Sequence, residues 1–524
     1  MKLSVFFLMF CSVLTFSAQE DDKIQAERTL LWHLQSPTDE LSGIQAKSAY
    51  DFLQSKKSVP IIVAVIDSGT ETAHPELSSM IWVNADEIAG NGIDDDKNGY
   101  IDDVNGWSFI GGAQGDVEHD NLEFTRVFKD LKSRFEGKSK VQINKSEMAD
   151  FEKYERFVKE YDQRLSKAKE EQMGFDQFMA VYKMADMTAK KTLNKETYTI
   201  DDVYGMSADD EYSAAIREIL IYALEEDLPS QIDEIRSHFT DQFEYSYNLN
   251  FDPRYLVGDN YLDPNEKFYG NNHNDGPKAE HGTHVAGIIG ALNNGIEAEG
   301  VAHNVKIMPI RCVPNGDERD KDVANSIRYA VDNGAKIINM SFGKSYSPFK
   351  GVVDEAIQYA ELKNVLLIHA SGNDSKNNDV SKNFPTAFYD NGKKCSTWIE
   401  VGASDYLIFD LSADFSNYGK KKVDLFAPGV DIYSTYTNQS YKKESGTSMA
   451  APVVSGVAAE LWSYYPELTA KEVKAILEKS SVKYKNTKVG APGNPEKKVT
   501  FGSLSKTGGV VNLYNAVLLA EKMK

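Results

Sequence analysis

Val59-Pro60-Ile61-Ile62-Val63-Ala64-Val65-Ile66-Asp67-Ser68-Gly69 is a β-branched apolar run that ends in an acid and a glycine. Apolar residues at consecutive positions fill both faces, which predicts a strand buried inside a parallel sheet. Parallel neighbours need helical crossovers, so the predicted fold class is α/β, a doubly wound, mostly parallel sheet. Asp67 then lies at the carboxyl end of its strand, the functional edge of an open α/β sheet.

Two further segments carry chemistry that could meet such an acid. His281-Gly282-Thr283-His284-Val285-Ala286-Gly287-Ile288-Ile289-Gly290-Ala291-Leu292 predicts a helix opened by His281 and packed through Val285, Ile288, Ile289 and Leu292. His284 falls on that apolar face and reads as a core histidine. Glu444-Ser445-Gly446-Thr447-Ser448-Met449-Ala450-Ala451-Pro452 sets a serine at a sharp turn before the apolar run Val453 to Trp462. A helix N-terminus there leaves unpaired N–H groups and partial positive charge around Ser448, which suits a developing oxyanion. Ser and Thr are also ordinary N-caps, and a lone Asp after a strand is often structural. The combination, an acid, a base and a nucleophile in the order Asp67, His281, Ser448, points to a catalytic triad.

These segments resemble those of the subtilisin-like serine proteases, the subtilases. Asp67-Ser68-Gly69 is similar to the family's aspartate motif, His281 to Gly287 to its histidine motif, and Gly446 to Pro452 to its serine motif. His369-Ala370-Ser371-Gly372-Asn373-Asp374 resembles the segment that carries the oxyanion-hole asparagine, which would be Asn373. The resemblance covers roughly residues 30–112 and 250–520. It implies a secreted serine endopeptidase, and protein or peptide substrates bound as an added β-strand along Ser341-Phe342-Gly343. Gly343 and Gly372 would leave the first side-chain pocket open, for large apolar or aromatic groups. A binding protein on the same scaffold, its cleft occluded, is the rival from another class.

At 524 residues the chain exceeds one average domain, so two units are expected. A net charge of −21 argues against nucleic acid and anionic membranes as partners. Lys2, the apolar stretch Leu3 to Phe16 and the small residues Ser17 and Ala18 predict a signal peptide over 1–19. The destination would be the periplasm or the exterior, with no integral membrane segment left after signal removal. Cys312 and Cys395 then remain and read as buried free thiols.

Calcium is the expected cofactor. Asp94-Asp95-Asp96-Lys97-Asn98-Gly99-Tyr100-Ile101-Asp102-Asp103 follows the opening of an EF-hand-type loop, with Asp94, Asp96, Asn98, Tyr100 through its carbonyl, and Asp102 as ligands. The usual glutamate at position twelve is Asn105, and Asp103 is the available substitute; a solvated acidic turn is the alternative. The resemblance implies a second ion, held by Glu76, the side chain of Asn294 and the carbonyls of Leu292, Ile296 and Ala298. Asp259 to Asp263 offers a further acidic stretch.

Two features depart from the family. A long, charged segment separates Asp67 from His281, so the expected organisation is a catalytic domain of 20–112 and 250–524 interrupted by a helical insertion, 113–249. Phe151, Tyr154, Val158, Tyr161 and Leu165 recur at helical spacing and predict a hairpin or short coiled coil, with further helices over Phe175 to Met184 and Ile216 to Leu224. A stability insert and a lid or partner-docking clamp are both open readings. Leu31-Trp32-His33-Leu34 already resembles the start of a mature catalytic domain, leaving no room for a usual propeptide; the insertion is expected to take over part of that role.

Overall fold

Strand β1, Ile61–Asp67, lies inside a nine-stranded sheet and is buried along nearly its whole length, as its unbroken apolar sequence requires. The computed structural model describes residues 30–38, 40–225, 228–295 and 297–524. The predicted signal peptide 1–19 and Ile296 lie outside the described residues. The chain divides into two compact units: one runs to Glu118 and resumes from Arg254 to Lys524, and the other is His119–Pro253.

In the first unit the sheet contains β2 (Trp107–Ser108), β3 (Val305–Arg311), β4 (Ile337–Met340), β5 (Leu366–Ala370), β6 (Trp398–Ser404), β7 (Leu425–Pro428), β10 (Val482–Lys483) and β11 (Gly509–Val510). Between β7 and β10 in the chain, β8 (Ile432–Tyr436) and β9 (Ser440–Glu444) form a separate antiparallel hairpin. The sheet order is β10-β11-β7-β6-β5-β4-β1-β3-β2. Its pairings are parallel, apart from the antiparallel edge between β10 and β11. Alternate residues of one strand feed opposite layers. Val63 and Val65 join Val285, Ile289, Val453 and Val457, whereas Ala64 and Ile66 join Val323, Ile327 and Ala356. Helices therefore cover both faces, the doubly wound α/β arrangement.

Relative to the expected bounds of 113–249 for the insertion, residues 113–118 fall in the first unit and 250–253 in the second. β2 pairs with β3, Val117 N–H donates to the Ile110 carbonyl, and Asn315 N–H donates to the Glu118 carbonyl. At the other boundary Arg254 is buried by two carboxylates, Asp259 at 2.6 Å and Asp322 at 2.7 Å. Asp259 also pairs with the fully buried Lys321 at 2.5 Å, so its charge is already neutralised. Within the acidic stretch Asp259 to Asp263, Asp259 is for that reason committed to ion pairs, and Asp263 accepts the Asn265 N–H.

The second unit is helical. Its α1 (Glu123–Phe135) packs on the 46-residue α2 (Met148–Leu193) through an aromatic ladder, with Phe124 on Phe157 and Phe135 on Phe151. Further along α2, Met179, Tyr182, Ala185 and Ala189 bury against Ile216 and Leu220 of α3 (Glu211–Glu225). The helical spacing read from Phe151 to Leu165 covers about four turns of the single long helix α2, whose buried residues also include Phe157.

Candidate active site

Asp67 is 1% exposed at the carboxyl end of β1. Its Oδ1 accepts the Ser68 N–H at 2.8 Å and lies 2.6 Å from His281 Nδ1. His281 is the second residue of α4 (Glu280–Gly290), and two glycines let this helix approach the strand end. Gly69 has φ +120°, a region open to glycine, and a Cβ on Gly282 would lie 2.0 Å from the Gly69 carbonyl oxygen. Around the helix, Thr283 Oγ1 accepts the Glu71 N–H, and β8 hydroxyls from Ser434 and Thr435 donate to the His284 and Thr283 carbonyls. His284 Nε2 meets the Lys442 carbonyl at 3.0 Å, and burial drives its pKa down to about 4, a neutral core histidine as the sequence predicts.

Desolvation alone would lower the His281 pKa. The charge and hydrogen bond of Asp67, with a smaller contribution from Glu444, outweigh it and hold the pKa above the ordinary 6.5.

Ser448 occupies the first turn of α5 (Thr447–Tyr464), just after Gly446. Its Oγ donates to the Ser341 carbonyl at 3.0 Å, and Ser341 Oγ donates back to the Ser448 carbonyl at 2.9 Å. Asn339 of β4 extends this lock, donating to Ser341 Oγ and accepting from Ser455 Oγ. Asn373 sits beside the same turn. Its Oδ1 accepts both the N–H and the hydroxyl of Thr447, at 2.9 and 2.8 Å, which directs the amide NH₂ away from Thr447. An amide NH₂ and the first-turn N–H of Ser448 thus stand at one helix N-terminus, an arrangement able to bind an oxyanion.

The expected substrate residues divide. The Ser341 carbonyl meets the nucleophile candidate, but its hydroxyl is consumed inside the protein. Phe342 packs into the core under α6 (Asp320–Asp332) and α7 (Lys350–Leu362), its ring 6.4 Å from His369. A Cβ on Gly343 would lie 2.6 Å from Asn383 Oδ1, and one on Gly372 2.5 Å from Asn417 Nδ2, so both positions are held to glycine by close neighbours. Asn383 Nδ2 donates to the Ser371 carbonyl at 3.1 Å.

Sequence reasoning missed three supporting residues. Asn417, 2% exposed, accepts the Asp374 and Lys376 N–H groups and donates to the Ser371 carbonyl, fixing the Asn373 loop. Arg311, fully buried opposite Asp67 in β3, donates to the carbonyls of Ser68, Val117 and Pro277. Burial lowers its pKa to about 10, so it stays charged. The third is Asn383. None lies in a recognisable motif.

In the acidic loop Asp94 accepts the N–H groups of Asn98 and Gly99, while Asp102 accepts those of Asn91 and Gly92. Each of these carboxylate oxygens keeps lone-pair capacity after accepting an N–H. Tyr100 is buried among Trp107, Phe109 and Tyr329. The carboxylates that converge are Glu87, Asp96 and Asp103, with ligand oxygens within 4.8 Å of one another. Burial raises the Asp103 carboxyl to about 6 against the pull of Tyr329, Asn84 and Asn98. Hard oxygen donors with partly uncompensated charge fit Ca²⁺. At the second expected site, Glu76 is buried and its Oε2 lacks a protein partner among the described residues. Its backbone carbonyl accepts the Leu292 N–H, and burial raises its pKa while Tyr441, His74 and Asn294 pull it down. An orphaned carboxylate oxygen there also fits a cation. Ala298 is buried nearby in the chain.

Residues 60–502 match the Subtilase family. The chain is 43% identical over 185 residues to the thermophilic serine proteinase of Bacillus sp. strain AK1, covering 35% of this chain and 42% of that one. It is 39% identical over 229 residues to the cell wall-associated protease of Bacillus subtilis, covering 43% and 24%. With thermitase of Thermoactinomyces vulgaris it shares 37% identity over 209 residues, 40% of this chain and 69% of that one. The chain thus spans under half the length of the first two relatives and over two thirds of thermitase. By the extent of that family match, this chain belongs to the subtilase family.

Proposed function

We propose that the protein is a secreted serine endopeptidase in which Asp67, His281 and Ser448 form the triad and Asn373 contributes to the oxyanion hole. The observation that carries the reading is the 2.6 Å pairing of His281 Nδ1 with the buried Asp67 carboxylate, on a histidine whose side chain is 40% exposed. Donation from Nδ1–H to Asp67 fixes the tautomer that leaves Nε2 free as a base. The Ser448 hydroxyl turns from the Ser341 carbonyl towards Nε2, gives up its proton and attacks the peptide carbonyl. The oxyanion that forms is met by the Asn373 NH₂ and the Ser448 N–H. The imidazolium, stabilised by Asp67, protonates the leaving amine; water then deacylates the enzyme by the same route.

Calcium in this reading is structural. Glu87, Asp96 and Asp103 hold one ion; Glu76, Asn294 and the carbonyls of Leu292 and Ala298 hold another. The ions stabilise the folded state by binding only to it. Secretion rests on the Leu3 to Phe16 stretch, and among the described residues no helix is long and apolar enough to cross a membrane. The test is digestion of a diverse peptide library with calcium present. Cleavage by the protein that disappears in Ser448→Ala supports the reading; equal cleavage by both overturns it.

A further inference from the structure

Charge is unevenly placed along this chain. Against a net −21 overall, residues 471–506 contain nine lysines, three glutamates, and no arginine or aspartate. The fold gathers much of this surplus at one end of the sheet. β10, with Lys483, is the edge strand, and Lys485 follows it, its carbonyl accepting the Gly502 N–H. Next, Lys488–Ala491 and Asn494–Thr500 form a hairpin in which Lys488 pairs with Thr500 and Gly490 with Lys498. Alternation puts Lys488 and Lys498 on one face, diagonally across the ladder. Val489 and Val499 take the other face and pack with Val423, Phe426 and Phe501, which anchors the hairpin to the sheet. Lys420 joins from the loop before β7, donating to the Gly502 and Ser505 carbonyls. The protein answers only part of this charge. Lys506 pairs with Glu478 at 2.8 Å. Among the described residues, Lys479, Lys485, Lys488, Lys497 and Lys498 are exposed and form no ion pair. Burial and the neighbouring charge of Lys485 lower the Lys483 pKa to about 8.

We propose that this lysine-rich sheet edge docks an acidic polysaccharide, a carboxylate-bearing polymer outside the cell; its placement outside the cell rests on the secreted reading above. Single-stranded nucleic acid needs exposed aromatic rings on which to stack its bases, and a bilayer needs apolar side chains that enter it. Among the described residues of 420–422 and 471–506, no large hydrophobic side chain is exposed. Bidentate recognition of phosphate calls for the planar fork of arginine, which these segments lack. Lysine is a hydrated point charge, suited to carboxylates spaced along a hydrated chain. The rest of the molecule is acidic and repels a polyanion, so the polymer is held at this edge and in one orientation.

The test measures binding of the purified protein to immobilised polygalacturonate at about 50 and about 200 mM NaCl, with neutral dextran, duplex DNA and phosphatidylglycerol vesicles as comparisons. Polygalacturonate should bind more tightly than each comparison and lose at least about tenfold in affinity between the two salts. Lys485→Gln, Lys488→Gln and Lys498→Gln together should weaken binding at least about tenfold at the lower salt and flatten the salt dependence. Arginine at the same three positions keeps the charge and should bind within about threefold of wild type. Lys47→Gln, Lys183→Gln and Lys191→Gln remove equal charge elsewhere and should also stay within about threefold, since distant charges are screened. No binding at the lower salt, a glutamine triple equal to wild type, an arginine triple as weak as the glutamine one, or a distant triple that loses as much overturns the docking edge. Tighter binding of DNA or vesicles overturns the choice of partner. Fluorophosphonate labelling of Ser448 in the same samples separates the two readings. Folded protein that binds the polymer but is not labelled overturns the protease reading alone, and labelled protein that does not bind overturns this inference alone.

Discussion

The contact between Asp67 and His281 has a pH signature. His281 must be neutral to accept a proton, so kcat/KM is expected to rise with pH through a pKa above 6.5, the direction in which Asp67 holds it. In Asp67→Asn the attraction is gone: the rising limb should move to lower pH while kcat drops on the order of 10⁴-fold. A limb that stays in place would show that another group titrates. The same pair contributes stability that is complete below pH 6.5 and fades as pH rises through the folded pKa, since the folded form binds the proton more tightly. Arg311 acts one step behind, tying together the carbonyls of Ser68, beside Asp67, and Pro277, which leads into the His281 helix. Arg311→Met would leave three buried carbonyls without this donor. It should cost about 1–3 kcal/mol in urea unfolding and lower kcat more than it raises KM, with Arg311→Lys restoring part of both. Asp67, His281 and Ser448 stand out in the sequence because they sit in compact local signatures. Arg311, Asn383 and Asn417 do not, because their roles arise from partners distant in the chain.

At the scale of elements, α5 does two jobs at opposite ends. Ser448 opens it, and Glu460 lies three turns on, 1% exposed, with Oε2 accepting the His303 N–H at 2.9 Å and Oε1 3.8 Å from His303 Nδ1 without a hydrogen bond. Burial raises the Glu460 carboxyl to about 7. A carboxyl whose folded pKa is raised favours folding when protonated, so its contribution should decline as pH climbs from 4.5 to 7 and stay low above. Glu460→Gln keeps the acceptor and removes the charge. It should match wild type near pH 4.5 and exceed it at pH 8 by about 1–3 kcal/mol, measured by urea unfolding at both values. Equal stability at pH 8 would mean that the charge is compensated. Buried strands and amphipathic helices, including α2, could be read from periodicity because apolar spacing itself decides which face is covered. The acidic loop was legible only in part: its spacing singles out Asp96 and Asp103, whereas Glu87, which converges with them, lies outside the motif.

For the whole molecule, the division into two units separates the candidate calcium ligands from the helical insertion. Glu76, Glu87, Asp96, Asp103 and Asn294 all belong to the first unit, while the second, His119–Pro253, has its own core around Met179, Tyr182 and Leu220. Independent cores predict two calorimetric transitions rather than one. Chelation should lower only the transition of the first unit; restoring calcium at about a hundred times its Kd should return roughly 2.7 kcal/mol per site. A single transition, or a chelator-sensitive second one, would argue that the units fold as one. The same separation tests the insertion's purpose. Residues 119–253 alone should melt cooperatively as a calcium-independent helical protein. Joining Glu118 to Arg254 by a short linker should then leave a first unit that still folds, because its ion pairs Arg254–Asp322 and Lys321–Asp259 are retained. If the insertion assists folding or restrains the active site, that shortened protein will refold more slowly or cleave peptides faster than the full chain. Unchanged refolding and unchanged kcat/KM would reduce the insertion to a stability insert.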